Sequence, residues 1–232
     1  MTRKKLLVFG TGVMGELIAD HFIDDSPWKV AAFVSHQSFI DQPMFKGLPV
    51  VPFEKIEATH PPSDYAMFIA LSYGRVNRTR RKVYEDAKAK GYTFASYISR
   101  HARSLKPIIH GDNVFLNESV VQPGASIGNN VIIWSNNVIG HHSVVGDHCF
   151  ISSGVVISGN TTVGESCFFG VNSCCRENLF VAPGTIVGAG ATLMRNSQKN
   201  TSYISPSPLT LRVLPESEDF LVRPKRDPET KI

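Results

Sequence analysis

The stretch Val138-Ile139-Gly140-His141-His142-Ser143-Val144-Val145-Gly146-Asp147-His148-Cys149-Phe150-Ile151 decides the fold. Ile139, Val145 and Ile151 stand six residues apart. The spacing runs back through Ile133, Ile127, Val121, Phe115 and Ile109, and forward through Ile157, Val163, Phe169, Cys175, Val181, Val187 and Leu193. A hexad repeat of this length is the signature of a parallel β-helix. Each hexad supplies one short strand and one turn, with one large apolar side chain pointing inward. Three hexads close a triangular coil, so residues eighteen apart are expected to stack about 4.8 Å from one another, the spacing of paired strands. One column then reads Ile109, Ile127, Val145, Val163, Val181; a second Phe115, Ile133, Ile151, Phe169, Val187; a third Val121, Ile139, Ile157, Cys175, Leu193. Four residues after the apolar position the residue is usually small, as at Ser119, Ala125, Ser143, Cys149, Thr161, Cys167, Ser173, Thr185 and Ala191. Only small groups fit beside the bulky one in so narrow a prism. Gly128, Gly140, Gly146, Gly164, Gly170 and Gly188 follow the apolar residue and are expected to ease the corners.

The first hundred residues have another rhythm. Strands are expected at Lys5 to Phe9, Lys29 to Val34, Gly47 to Val51, Tyr65 to Leu71 and Tyr92 to Ile98, with helices at Glu16 to Phe22 and Arg75 to Lys90. Strands alternating with helices indicate a small parallel, Rossmann-like α/β sheet. The expected organisation is therefore an α/β domain over 1–105, a β-helix over 106–197 and a C-terminal tail over 198–232.

Composition narrows the function classes. An apolar content of 42% with 19% charged residues is that of a globular chain, and a net charge of +4 is too mild to argue for nucleic acid. No apolar run reaches the roughly 18 residues of a membrane span. Gly10 and Gly12 end the first apolar run too early for a secretion signal. Cys149 and Cys167, eighteen apart, should stack as reduced thiols, which fits a cytoplasmic protein. No spacing of Cys and His suggests a metal site.

Two constellations carry chemistry. Gly10-x-Gly12-Val13-Met14-Gly15 lies between a strand and a helix, where backbone N–H groups attract phosphate oxygens. The second strand ends Phe33-Val34-Ser35-His36, without the acid that a dinucleotide site places there, so hydride transfer is disfavoured. Ser35 and His36, together with Ser72 and Tyr73 after the fourth strand, are expected to complete a nucleotide pocket. The other constellation is His141-His142. Both follow the inward Ile139 at a turn and should face outward. Pro123 and Gly124 lie one coil before and Gly159 and Asn160 one coil after, and these small groups are expected to leave room for a ligand. Histidine is the side chain best suited to take a proton near neutral pH.

A glycine-rich α/β domain followed by a hexapeptide β-helix with an outward His resembles the bacterial sugar acyltransferases typified by sialic-acid O-acetyltransferase and the N-acetyltransferases of nucleotide-linked amino sugars. The resemblance spans about residues 5–200 and is most specific over 139–147. It implies a homotrimer of left-handed β-helices that binds acetyl-CoA between neighbouring solenoids and a nucleotide-linked sugar on the amino-terminal domain, with no metal. His141 matches the family's general base. The acids that usually flank that base fall on Gly140 and His142, so another group must orient His141. Phe150 stands where some members carry a second His near the thioester. Gly159, Val171 and Ala189 match contacts to the pantetheine arm, and Gly12, Val13 and Met14 match the nucleotide loop. The implied reaction is N-acetylation of a nucleotide-linked amino sugar by direct attack on the thioester, in surface glycan synthesis. O-acetylation of a sugar hydroxyl and a non-catalytic trimeric nucleotide-binding scaffold are the alternatives.

Overall fold

The computed structural model describes residues 4–205, and the expected tail beyond Ser205 lies outside the described residues. Strands β1 (Lys5–Phe9), β2 (Lys29–Ser35), β3 (Met44–Phe45), β4 (Leu48–Pro52) and β5 (Tyr65–Ile69) form one sheet in the order β3-β4-β2-β1-β5. All its pairings are parallel except the β3–β4 hairpin at the edge. Helix α1 (Val13–Asp24) buries Gly15, Ile18, Ala19 and Phe22, an i, i+3, i+4, i+7 stripe. After the one-turn helix α2 (Ile56–Thr59), helix α3 (Arg78–Ala89) covers the opposite face of the sheet through Val83, Tyr84 and Ala87. Among the described residues no helix is long and apolar enough to cross a membrane.

From Tyr97 to Tyr203 the chain winds through two-residue strands that stack into three parallel sheets, the three walls of a prism. The first wall stacks Tyr97–Ile98, Phe115–Leu116, Ile132–Ile133, Phe150–Ile151, Phe168–Phe169, Ile186–Val187 and Ser202–Tyr203. The second runs from Val120–Val121 through Val138–Ile139, Val156–Ile157 and Cys174–Cys175 to Thr192–Leu193. The third runs from Ile109–His110 through Ser126–Ile127, Val144–Val145 and Thr162–Val163 to Phe180–Val181. From Val121 onward the expected columns stand, and their members form one buried cluster with Ala125, Cys149, Cys167 and Ala191. The four cysteines are free thiols.

Two expectations about the repeat are corrected. The first coil is out of step: Leu116, not Phe115, stacks on Ile133, and Ile109 lies opposite Ser126 and is 63% exposed. The step from Leu116 to Val121 is five residues rather than six, which turns Phe115 outward into the α/β core. Nor do the hexad glycines make the corners. The left-handed corner residue comes two places later, at Gly124, Asn130, Asn136, His142, His148, Gly154, Asn160 and their successors. Asn tolerates this region better than other residues with a side chain. Gly140, Gly146 and Gly170 serve a different need, since a Cβ on any of them would strike the backbone of the next coil.

The α/β sheet is docked on the first wall. Phe115, Ile132 and Phe150 point out of the prism into a cluster with Leu6, Val8, Ile18 and Phe22. Beside it, Arg80 is fully buried, with no carboxylate partner among the described residues. Its guanidinium donates to the carbonyls of Ser72 (3.2 Å), His148 (2.9 Å) and Cys149 (3.0 Å) and to Asn77 Oδ1 (3.1 Å). Burial pushes its pKa down to about 9, which leaves it charged at neutral pH. Asn77 adds a bond from Nδ2 to the Cys167 carbonyl at 3.0 Å. These bonds tie the loop after β5 to two successive coils. Replacing Arg80 by Met strands several carbonyls, and a loss of about 2–4 kcal/mol is expected in urea unfolding; a loss below about 0.5 kcal/mol would show that the junction does not depend on it.

Candidate active site

The first half of the site is a cavity of about 480 Å³ at the carboxyl ends of β1, β2 and β5. Gly10, Gly12, Val13, Met14, Ser35, His36 and Ser72 line it together, as the sequence led us to expect. The glycines do different work. Gly10 has φ +129°, and a Cβ there would lie 2.8 Å from the Ala70 carbonyl oxygen. A Cβ on Gly15 would run into Gly10 itself, whereas one on Gly12 would meet nothing within 4 Å. Gly12 thus caps α1 with open space in front of it, and the first intrahelical bond is made by the Glu16 N–H. The amides before Glu16 are left for an anion at the positive end of the helix.

The acid missing from the end of β2 is supplied from elsewhere. Glu54, in the 3-10 turn Phe53–Lys55, places Oε1 2.9 Å from His36 Nδ1 and accepts the Gln37 N–H on Oε2 at 3.0 Å. Burial opposes the carboxylate's charge, but these hydrogen bonds outweigh it and hold the Glu54 pKa below its ordinary value. An ionised carboxylate only accepts, so Nδ1 of His36 carries the proton and Nε2 is left free. Thr79, in the first turn of α3, also lines the cavity. Sequence reading found neither residue, because Glu54 comes from the turn after the neighbouring strand β4, 18 residues from His36, and Thr79 sits among the arginines and lysines of α3. Tyr73 is displaced from the expected pocket: its ring packs on Phe168 and Phe150, with ring centroids 4.7 Å and 5.1 Å away.

The second half is the histidine pair, exposed at the corner between the second and third walls. His142 occupies the left-handed corner position, with φ 56°. The His141 amide donates to Gln122 Oε1 at 2.9 Å, and the two Nδ1 atoms lie 3.2 Å apart. The room around them is used differently than expected. A Cβ on Gly159 would collide with the His141 ring, and one on Gly124 would lie 2.7 Å from His142 Cδ2. The small neighbours therefore seat the imidazoles themselves. Gln122 escaped the sequence reading, although it lies one coil before Gly140 and coil arithmetic points to it.

The residues matched to acetyl-CoA are not brought together within one chain. Gly159 lies under His141, whereas Val171 and Ala189 are exposed on the corner between the first and second walls. Phe150 is corrected outright. It is 3% exposed, in the core between wall and sheet, with the Arg80 guanidinium 5.7 Å from its ring centroid. Its wall is the one that the α/β sheet covers. Among the described residues no group of three or more His, Cys, Asp or Glu side chains could hold a metal.

The two halves lie on opposite sides of the prism. The glycine loop belongs to the sheet docked on the first wall, and His141 stands on the corner opposite that wall. The contrast between the glycines is open to test. Gly10→Ala should lower stability by about 2 kcal/mol, from a disallowed φ and a backbone clash. Gly12→Ala should leave the unfolding midpoint nearly unchanged. Equal losses in thermal unfolding would contradict this geometry.

No family model matches the sequence. Among solved structures, the acetyltransferase domain of PglB from Neisseria gonorrhoeae in complex with acetyl coenzyme A is 25% identical, with a TM-score of 0.77 over 88% of this chain and 97% of that one. PerB from Caulobacter crescentus, in complex with CoA and GDP-perosamine, is 22% identical, with a TM-score of 0.76 over 87% of this chain and 94% of that one. WeeI from Acinetobacter baumannii AYE is 18% identical, with a TM-score of 0.74 over 86% and 96%. The structural neighbours of the chain are thus bacterial acetyltransferases, the class that the hexads and the outward histidines resemble.

Proposed function

We propose that this protein is an acetyl-CoA-dependent acyltransferase that N-acetylates a nucleotide-linked amino sugar for surface glycan synthesis in the cytoplasm. The observation that carries the reading is the His141–His142 pair, presented on an open corner of a chain whose neighbour of 0.77 TM-score holds acetyl coenzyme A. The Rossmann-like domain takes the nucleotide-linked sugar on the Gly10–Met14 loop. The solenoid is a left-handed β-helix, and three copies associate.

His142 stands in for the missing carboxylate. With the His141 Nδ1–H donated to His142 Nδ1, the proton-accepting lone pair of His141 is on Nε2. That atom lies over Gly159, where any side chain would displace it. As the neutral sugar amine attacks the thioester carbonyl, Nε2 takes the proton that the nitrogen loses and passes it to the departing sulfur as the C–S bond breaks, so that CoA leaves as the thiol and His141 returns to its neutral form. General-base help of this kind contributes about 10²–10⁴-fold. Holding both substrates in one groove contributes more.

The separation of the half-sites favours an assembly. The outward residues of the two uncovered walls include Val144, Val156 and Phe180, each 39–48% exposed in the single chain. Burying them against neighbours forms a ring if the contact is head to tail. A groove in which the His141 corner of one chain meets the Val171–Ala189 corner of the next would gather the contacts expected for acetyl-CoA. It would also bring the next chain's α/β domain, and with it the sugar, toward His141.

His141→Ala should lower kcat by about 100-fold or more, with the oligomer and CoA binding intact. A variant that keeps kcat within about threefold of wild type would return the protein to the scaffold reading. Gly12→Val should raise KM for the sugar nucleotide and leave KM for acetyl-CoA unchanged. Sedimentation at working concentration should give a trimer, and a fully active monomer would refute the shared site.

A further inference from the structure

The glycine-loop cavity does not end at the loop. A second cavity of about 260 Å³ adjoins it between the loop, the 3-10 turn Gln37–Phe39 and the β3–β4 hairpin. Thr11 and Phe39 line both cavities, so the two form one cleft. Phe39 is 69% exposed on that shared rim, an unusual place for a phenyl ring without a partner. Its backbone is not loose: the Phe39 amide donates to the His36 carbonyl at 2.9 Å, and Glu54 holds the Gln37 amide at the start of the turn. Beyond the ring, Asp41 and Gln42 line the second cavity, with Ile40 and Phe45 as its apolar lining. The nearby Lys46 is engaged by Glu16 and Asp20, and Asp41 has no ion-pair partner among the described residues.

We propose that the second cavity is the nucleobase subsite and that the base it takes is guanine. The inference rests on the nucleotide-linked substrate proposed above, and it names that substrate as a guanosine diphosphate derivative. With the diphosphate on the Gly12 amides, the cleft continues past an aromatic face to a free carboxylate. Phe39 supplies the stacking surface, which every base accepts. Asp41 supplies the selection. A carboxylate has two acceptor oxygens and no donor. Guanine presents two adjacent donors on one edge, N1–H and the N2 amine, and can satisfy both oxygens. Uracil and thymine present a single N–H between two carbonyls, which the carboxylate repels. Adenine and cytosine set one amine beside a ring acceptor, so one oxygen would face a lone pair. Gln42, with both donor and acceptor atoms, stands at the same end for the remaining carbonyl.

Calorimetric titration of the full chain with GDP, UDP, dTDP, CDP and ADP tests this. GDP should bind about tenfold or more tighter than the others, the discrimination expected of one bidentate pair. Asp41→Asn, which turns one acceptor into a donor on an exposed side chain, should remove most of that preference. Phe39→Ala should weaken all five alike, and Gly12→Val should abolish binding, which places the ligand on the loop. Equal affinities, or a GDP preference that survives Asp41→Asn, would overturn the guanine subsite and leave the nucleotide reading standing. If none of the five binds the wild-type chain, both fall.

Discussion

Coil stacking at the spacing of paired strands is the constraint on which the rest of this structure depends. At about 4.8 Å per coil, each wall admits one large inward side chain per turn, and each corner must reverse the chain within a few residues. The corner residue is therefore left-handed, and glycine, Asn, His and, once, Ser166 fill it down the prism. The same packing forces glycine wherever the next coil's backbone comes too close, as at Gly140 and Gly146. His142 owes its orientation to this geometry. It occupies a corner position, and its neighbours at Gly124 and Gly159 have no side chains to compete with the two imidazoles. A pair of surface histidines thus acquires a fixed relation, with Nδ1 facing Nδ1.

Much of this was legible in the sequence, because periodicity reports packing directly. The inward columns from Val121 onward follow from spacing alone, as does the outward position of His141 and His142. The glycine loop could be placed because its neighbours have strand and helix rhythm. The first coil was not legible, because Phe115 and Leu116 are both apolar and a five-residue step leaves no mark when either could point inward. Phe150 was misplaced for a related reason: motif position does not say which wall another domain covers. A signal was nonetheless present. The residue before each inward one is bulky along the first wall, at Phe115, Ile132, Phe150 and Phe168, and smaller on the third at Ser126, Val144 and Thr162, with Phe180 in the last coil the exception. Arg80 and Glu54 left no such trace. Their partners come from elements far along the chain, and the carbonyls that hold Arg80 are invisible to any reading of side chains.

The junction bears on function through the loop after β5. Arg75, Val76 and Asn77 are all left-handed, and Val76 is β-branched, so this turn persists only because its surroundings hold it. Arg80 and Asn77 supply that hold by bonding carbonyls of the solenoid. Ser72, in the same loop, lines the glycine-loop cavity. The solenoid therefore sets the shape of a pocket that lies outside it, and the α/β domain is a fixed platform rather than a swinging one.

The central claim is that the glycine loop of one chain serves His141 of another. Co-expression of Gly12→Val with His141→Ala chains tests it most directly, assayed with sugar nucleotide well below KM. Either variant alone lacks one half of every site. In randomly mixed rings, about one quarter of the junctions would join an intact loop to an intact histidine. The account predicts recovery toward that fraction of wild-type activity in the mixed assembly. A mixture no more active than its parents would contradict it, and would place both halves of the site within a single chain.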